Sequence, residues 1–199
     1  MQNELKYTSS IKDMPLMFSE MKRTALLLCE GKTSDEIVGL SMDMNIYQLD
    51  KEKRRRDVPL RMLKRLSLIE QPLIEIIANG CDNDAKLIAF LALMKADRLL
   101  FEYMLEVYAD KFNAGHDRIL DKDFVDFIDR KSHDSETVAK WSANNLASVR
   151  STIKSVLCDA GLAKKTNDGF LIQKPIIDDD FCRLVSEENQ IYAEAMLII

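Results

Sequence analysis

No two cysteines lie close in this sequence, and histidine occurs only twice. Cys29, Cys81, Cys158 and Cys182 are isolated, with no CxxC pair. That spacing offers no zinc-ligand set, and the helical context around each cysteine argues against a disulfide framework. It predicts free, buried thiols in a reducing compartment. Glycine is also scarce, at six residues. There is no glycine-rich phosphate loop, no Walker lysine and no dinucleotide fingerprint. Long apolar runs are missing as well. The best, residues 87–94, is followed by Lys95, Asp97 and Arg98, and a span needs about 20 apolar residues. Residues 1–7 are too polar for a secretory leader. The expectation is a cytoplasmic protein with no membrane contact.

Catalytic groupings are absent too. His116 and His133 sit in polar stretches with no evident nucleophile, so a Ser-His-Asp arrangement is not indicated. His133 beside Asp134 invites a nuclease reading, but metal-dependent nucleases hold their acids on strands, and strand signals are few here. Asp178, Asp179 and Asp180 are consecutive. Consecutive carboxylates fan outward, whereas hard cations need convergent oxygens, so a helix-start charge cluster is the better reading. The chain is therefore expected to be no enzyme, with no cofactor and no metal.

What is present is helix-forming. Of 199 residues, 47% are hydrophobic and 31% charged, and methionine occurs ten times. This composition suits a compact, mainly α chain. The net charge is −5, but its distribution matters more than its sum. Residues 51–65 hold eight bases against two acids, and residues 178–194 hold six acids against one base.

Apolar spacing predicts a helix over residues 14–30, with Pro15 in its first turn. Thr33 and Glu36 have capping-box spacing ahead of a short helix through Ile37, Val38 and Leu40. A turn over residues 41–47 leads to a basic helix that Pro59 should kink or restart. Pro72 marks a further break or a helix start. Residues 84–112 carry the strongest helical periodicity and read as one central helix. Another helix spans 121–130, and residues 131–135 read as a polar linker and domain boundary.

The richest segment follows. Ser135 can cap a helix carrying Val138 and Trp141. After a turn at residues 142–145, Leu146, Val149, Ile153, Val156 and Leu157 line a second helix. Gly161 can close it in a left-handed conformation. Residues 162–165 and 170–173 read as strands joined at Asn167-Asp168-Gly169. Helix, turn, helix and hairpin is the order of a winged helix. The fold expected is a helical bundle with helix-turn-helix or winged-helix-like elements and one short β-hairpin wing. Three segments are suggested. Residues 1–80 form an N-terminal helical domain with a helix-turn-helix-like unit. Residues 81–132 form a central helical segment, and 133–199 a winged-helix-like unit with an acidic tail. The apolar end, residues 195–199, should pack on the body or on a second copy, which leaves a homodimer open.

Two cationic surfaces suit the phosphates of double-stranded DNA. Arg54, Arg55, Arg56, Arg61, Lys64 and Arg65 form the first, with 54, 61 and 65 on one helical face. The second is the winged unit. Asn144, Asn145, Arg150 and Lys154 populate its second helix, and Lys164 and Lys165 its wing. Arginine can read guanine and asparagine adenine.

The chain also resembles a known family along nearly its full length. The resemblance rests on Asn45-Ile46-Tyr47-Gln48, on Arg61-Met62-Leu63-Lys64-Arg65-Leu66, and on Lys95-Ala96-Asp97-Arg98-Leu99-Leu100-Phe101-Glu102. Trp141 with Leu157-Cys158-Asp159-Ala160-Gly161-Leu162 completes it. These stretches look like the BrxA proteins of bacterial BREX phage-defence systems, once filed as inner-membrane proteins. The resemblance implies a helical, DNA-binding protein with helix-turn-helix-like elements, likened to the antitermination factor NusB. It also implies other BREX defence proteins as partners. It supplies no catalytic residues. Two alternatives stay open: an assembly adaptor using residues 178–199, and a NusB-like RNA binder.

Overall fold

The computed structural model describes residues 5–199 and is mainly α. The chain divides into two compact units. One is Leu16–Ala96; the other is Asp97–Ile199 with the N-terminal residues leading to Pro15. The division therefore runs through the segment that the sequence presents as one helix over 84–112. Helix α5 (Asp82–Ala96) stops, and α6 (Arg98–Tyr103) starts afresh. Between them Asp97 is extended, with φ −130° and ψ 107°, and its carboxylate accepts a hydrogen bond from the Leu100 amide at 3.0 Å. An N-cap inside an unbroken apolar pattern is what separates the two helices.

The first unit is all helical. Helix α1 (Phe18–Cys29) begins later than its apolar spacing suggests, with Pro15 ahead of it rather than in its first turn. Helix α2 (Ser34–Met44) starts with the predicted capping box. The Thr33 hydroxyl accepts from the Glu36 amide, and the Glu36 carboxylate accepts from the Thr33 amide. Donation to that carboxylate from the Thr33 amide, and from the Thr33 hydroxyl at 3.0 Å, holds the Glu36 carboxyl below its usual range. Helix α3 (Glu52–Leu66) runs straight through Pro59, and α4 (Gln71–Asn79) opens on Pro72. Helix α5 is buried on nearly all sides from Ala85 to Met94, so it forms the centre of this unit.

In the second unit α6 continues into a π-helical stretch, Met104–Ala109, and then α7 (Asp110–Asn113). Strand β1 (Arg118–Leu120) leads to α8 (Asp121–Asp134), α9 (Glu136–Ala139) and α10 (Ala143–Asp159). Strands β2 (Ala163–Lys165) and β3 (Gly169–Ile172) form the expected hairpin, and α11 (Asp179–Ala195) closes the chain. The sheet is antiparallel in the order β1-β3-β2. Gly161 has φ +76° after α10, the left-handed conformation expected of it. Tyr108 ties the layers together: its buried hydroxyl donates toward the carbonyls of Leu162 at 2.6 Å and Gln173 at 3.1 Å.

The C-terminal apolar residues Met196, Leu197 and Ile198 are buried within this unit. The Phe101 and Tyr192 rings lie 4.9 Å apart. Two expectations need correction. Residues 131–134 are the last turn of α8 and not a linker, and Lys131 is buried there. The cysteines are not buried either: Cys29 and Cys81 are exposed, and Cys158 and Cys182 partly so. Among the described residues no helix is long and apolar enough to cross a membrane.

Candidate nucleic-acid interface

Helix α3 supplies the first cationic surface. Proline lacks the amide that would bond the carbonyl four residues back. Here the orphaned acceptor is the Arg55 carbonyl, and the buried Ser41 hydroxyl donates to it at 2.5 Å. The helix thus continues, and its two halves share one register.

That register moves the exposed face. Val58, Met62, Arg65 and Leu66 point into the unit, while Lys53, Arg56, Leu60 and Lys64 are exposed on the opposite side. Arg54 and Arg61 flank this line. Lys53, at spacings of three, seven and eleven from Arg56, Leu60 and Lys64, was overlooked in the sequence. Arg56 keeps a long contact of 3.4 Å to Asp57. Lys53, Arg54, Arg61 and Lys64 have no ion-pair partner among the described residues.

Two of the predicted arginines serve the fold instead. Arg65 is 2% exposed, and its guanidinium donates to the Leu16 carbonyl at 3.2 Å. It therefore cannot share a surface with Arg54 and Arg61. Arg55 is half-buried and donates through Nε to the Leu49 carbonyl at 2.9 Å.

The second surface lies on α10 and the hairpin. Ser142 caps α10 by accepting from the Asn145 amide at 3.3 Å. Asn144, Ala147, Ser148, Ser151 and Ser155 make its exposed ridge, which is small and uncharged. Arg150 lies beside an apolar groove formed with α8 by Phe124, Val125, Ile128 and Leu146. Lys154 is held by Asp121 at 2.5 Å, which neutralises it. Lys164 and Lys165 are exposed on β2. Asn145 accepts a hydrogen bond from Lys12, a residue to which sequence patterning gave no role.

The structure thus gathers Arg54, Arg56, Arg61 and Lys64 on one unit, and Asn144, Asn145, Arg150, Lys164 and Lys165 on the other. It withdraws Arg65, and it leaves Lys154 in an ion pair.

A profile of the BrxA family matches residues 5–189. The chain belongs to the BrxA family. A curated relative, BREX protein BrxA of Bacillus cereus (strain H3081.97), is 33% identical over 180 residues, which is 90% of each chain. The match spans both units of the BrxA fold. A crystal structure of an uncharacterized protein from Magnetospirillum magneticum shares that fold. Its TM-score is 0.81 at 19% identity, and the match covers 98% of this chain and 100% of that one.

Proposed function

We propose that this BrxA-family chain is a non-enzymatic accessory protein of a BREX phage-defence system that binds double-stranded DNA. Its relative's name places that protein in BREX, and the shared family carries the setting to this chain. Other BREX proteins are then its partners. The observation that carries the DNA reading is the exposed line on α3. Lys53, Arg54, Arg61 and Lys64 all lie on this helix and have no ion-pair partner among the described residues. Unneutralised cations on one helix attract phosphate, release its counterions and give sequence-independent affinity. The net charge of −5 does not oppose this, because the field at the helix is local.

The second unit supports the same reading by its order. We read α6 and α7, strand β1, helices α8, α9 and α10, then β2 and β3 with β1 pairing β3, as a winged-helix-like order. In that arrangement α10 is the helix offered to the major groove and β2–β3 is the wing. The small ridge of α10 lets its backbone approach closely, and Lys164 and Lys165 face the phosphates alongside.

The test is competition. Labelled duplex DNA bound to the protein is challenged with unlabelled duplex and with structured RNA of equal length. Displacement by duplex at lower concentration supports the proposal. Preferential displacement by RNA replaces it with an RNA-binding role, and no binding to either replaces it with an adaptor role.

A further inference from the structure

Residues 5–12 form a strap on the second unit. Tyr7 anchors it: its hydroxyl donates to Glu102 Oε2 at 2.8 Å, and the Arg98 guanidinium lies over its ring at 4.2 Å. Arg98 also donates to the Leu5 carbonyl at 3.4 Å. Ile11 is buried. The turn Ser10–Lys12 packs on α10 and sets Lys12 Nζ 2.5 Å from Asn145 Oδ1.

The chemistry of that contact has one orientation. A lysine ammonium has three donors and no acceptor. The Asn145 carbonyl oxygen must therefore face Lys12, and its NH2 group faces away. Lys12 is exposed and has no ion-pair partner among the described residues. Together the two side chains offer one positive charge and further N–H donors at one point beside the α10 ridge. Reading adenine with Asn145 would need its carbonyl oxygen for the N6 amino group, and Lys12 competes for that oxygen. A phosphate oxygen needs only donors and positive charge.

We infer that Lys12 is a further DNA-contacting residue that also positions Asn145, and that the pair takes one backbone phosphate of the duplex. This rests on the DNA-binding reading above. It assigns a role to the N-terminal strap: the Tyr7 anchor holds a cation in place beside a helix whose own exposed ridge has none.

The test uses the full chain and two labelled duplexes, one of mixed sequence and one of A·T pairs only, titrated over a range of salt. Lys12→Ala is expected to weaken binding to both roughly tenfold at low salt and to lower the salt slope by about 1. Lys12→Arg is expected to restore the slope. Asn145→Ala should weaken wild type but add little in the Lys12→Ala background, because the two act as a unit. Wild-type affinity and slope in Lys12→Ala would overturn the inference while leaving DNA binding intact. Loss on the mixed duplex alone would also overturn it, by making the contact a guanine edge. A loss that tracks a lower melting temperature and is not rescued by Lys12→Arg would reduce Lys12 to a structural role. Failure of the wild type to bind either duplex would instead remove the DNA reading itself, and this inference with it.

Discussion

The hydroxyl of Ser41 donates to the backbone carbonyl that Pro59 leaves without a helical partner, that of Arg55. A proline in mid-helix costs about 3 kcal/mol or more, and a side chain from α2 offsets part of it. Ser41→Ala is expected to cost about 1–3 kcal/mol, the penalty for an unsatisfied buried acceptor. In a Pro59→Ala background the restored amide serves that carbonyl, so Ser41→Ala should cost clearly less. Urea melts of the four proteins give the coupling. Equal costs in both backgrounds would refute this account of how α3 stays continuous.

Arg65 separates stability from binding. Its guanidinium is buried against the Leu16 carbonyl. Arg65→Ala should lower stability by about 1–3 kcal/mol and leave the salt dependence of DNA binding unchanged wherever the protein is folded. Lys64→Ala, one residue away and exposed, should do the reverse. A salt slope that falls in Arg65→Ala would show that this arginine reaches phosphate after all.

A network on the second unit makes stability depend on pH. Glu102 accepts from Tyr7 at 2.8 Å and from Arg98 at 2.8 Å, and it pairs with Lys131 at 2.7 Å. Burial pushes its carboxyl up, but the bonds from Lys131, Arg98 and Tyr7 outweigh that and hold it below the usual range. As pH falls, the unfolded chain takes up this proton first. The stabilisation is therefore complete above the ordinary glutamate value, about 4.3, and is lost as pH drops through the lowered folded value. Tyr7 acts at the other end. Burial, with its bond to Glu102, pushes its hydroxyl up to about 12. Its contribution is complete below about 10 and fades as pH rises toward 12. Melting temperature against pH should show both limbs, and Tyr7→Phe should weaken the alkaline one, to which the raised hydroxyls of the buried Tyr103, Tyr108 and Tyr192 also contribute. Lys131→Ala should cost about 1–3 kcal/mol, because it removes one of the three partners of the part-buried Glu102 carboxylate.

Gly169 marks the close approach of β3 to β1. A Cβ there would overlap the Ile119 carbonyl oxygen. Gly169→Ala is expected to push the strands apart and cost about 1–3 kcal/mol, read as a lower denaturation midpoint. A midpoint equal to wild type would contradict the β1–β3 register of Leu120 with Gly169.

Local signals were legible in the sequence, and long-range ones were not. The Thr33–Glu36 box, the Gly161 closure and the Asn167-Asp168-Gly169 hairpin each depend on neighbours a few residues away, and each forms as expected. The break at Asp97 stayed hidden because the helical apolar spacing of Leu91, Met94, Phe101 and Leu105 runs on across it. Strand β1 is three residues long, and its partners lie some fifty residues later, so no alternation announces it. Lys131 looked like linker because its partners, Glu102 and Glu106, come from a separate stretch of chain. The candidate site divided in the same way. The basic content of α3 was plain, but which cations face outward depended on Ser41 rescuing the helix at Pro59. Lys12 gained its place only through the strap.

The most direct test of the account is the salt dependence of duplex binding for wild type and for a variant with Lys53, Arg54, Arg61 and Lys64 changed to Ala. Arg65 is left in place so that the fold is kept, and circular dichroism checks it. The account predicts that wild-type binding falls steeply with salt, at about 0.9 log units per phosphate contact per decade, and that the folded variant loses both affinity and slope. A folded variant that binds like the wild type, or a wild type that does not bind duplex at low salt, would contradict it.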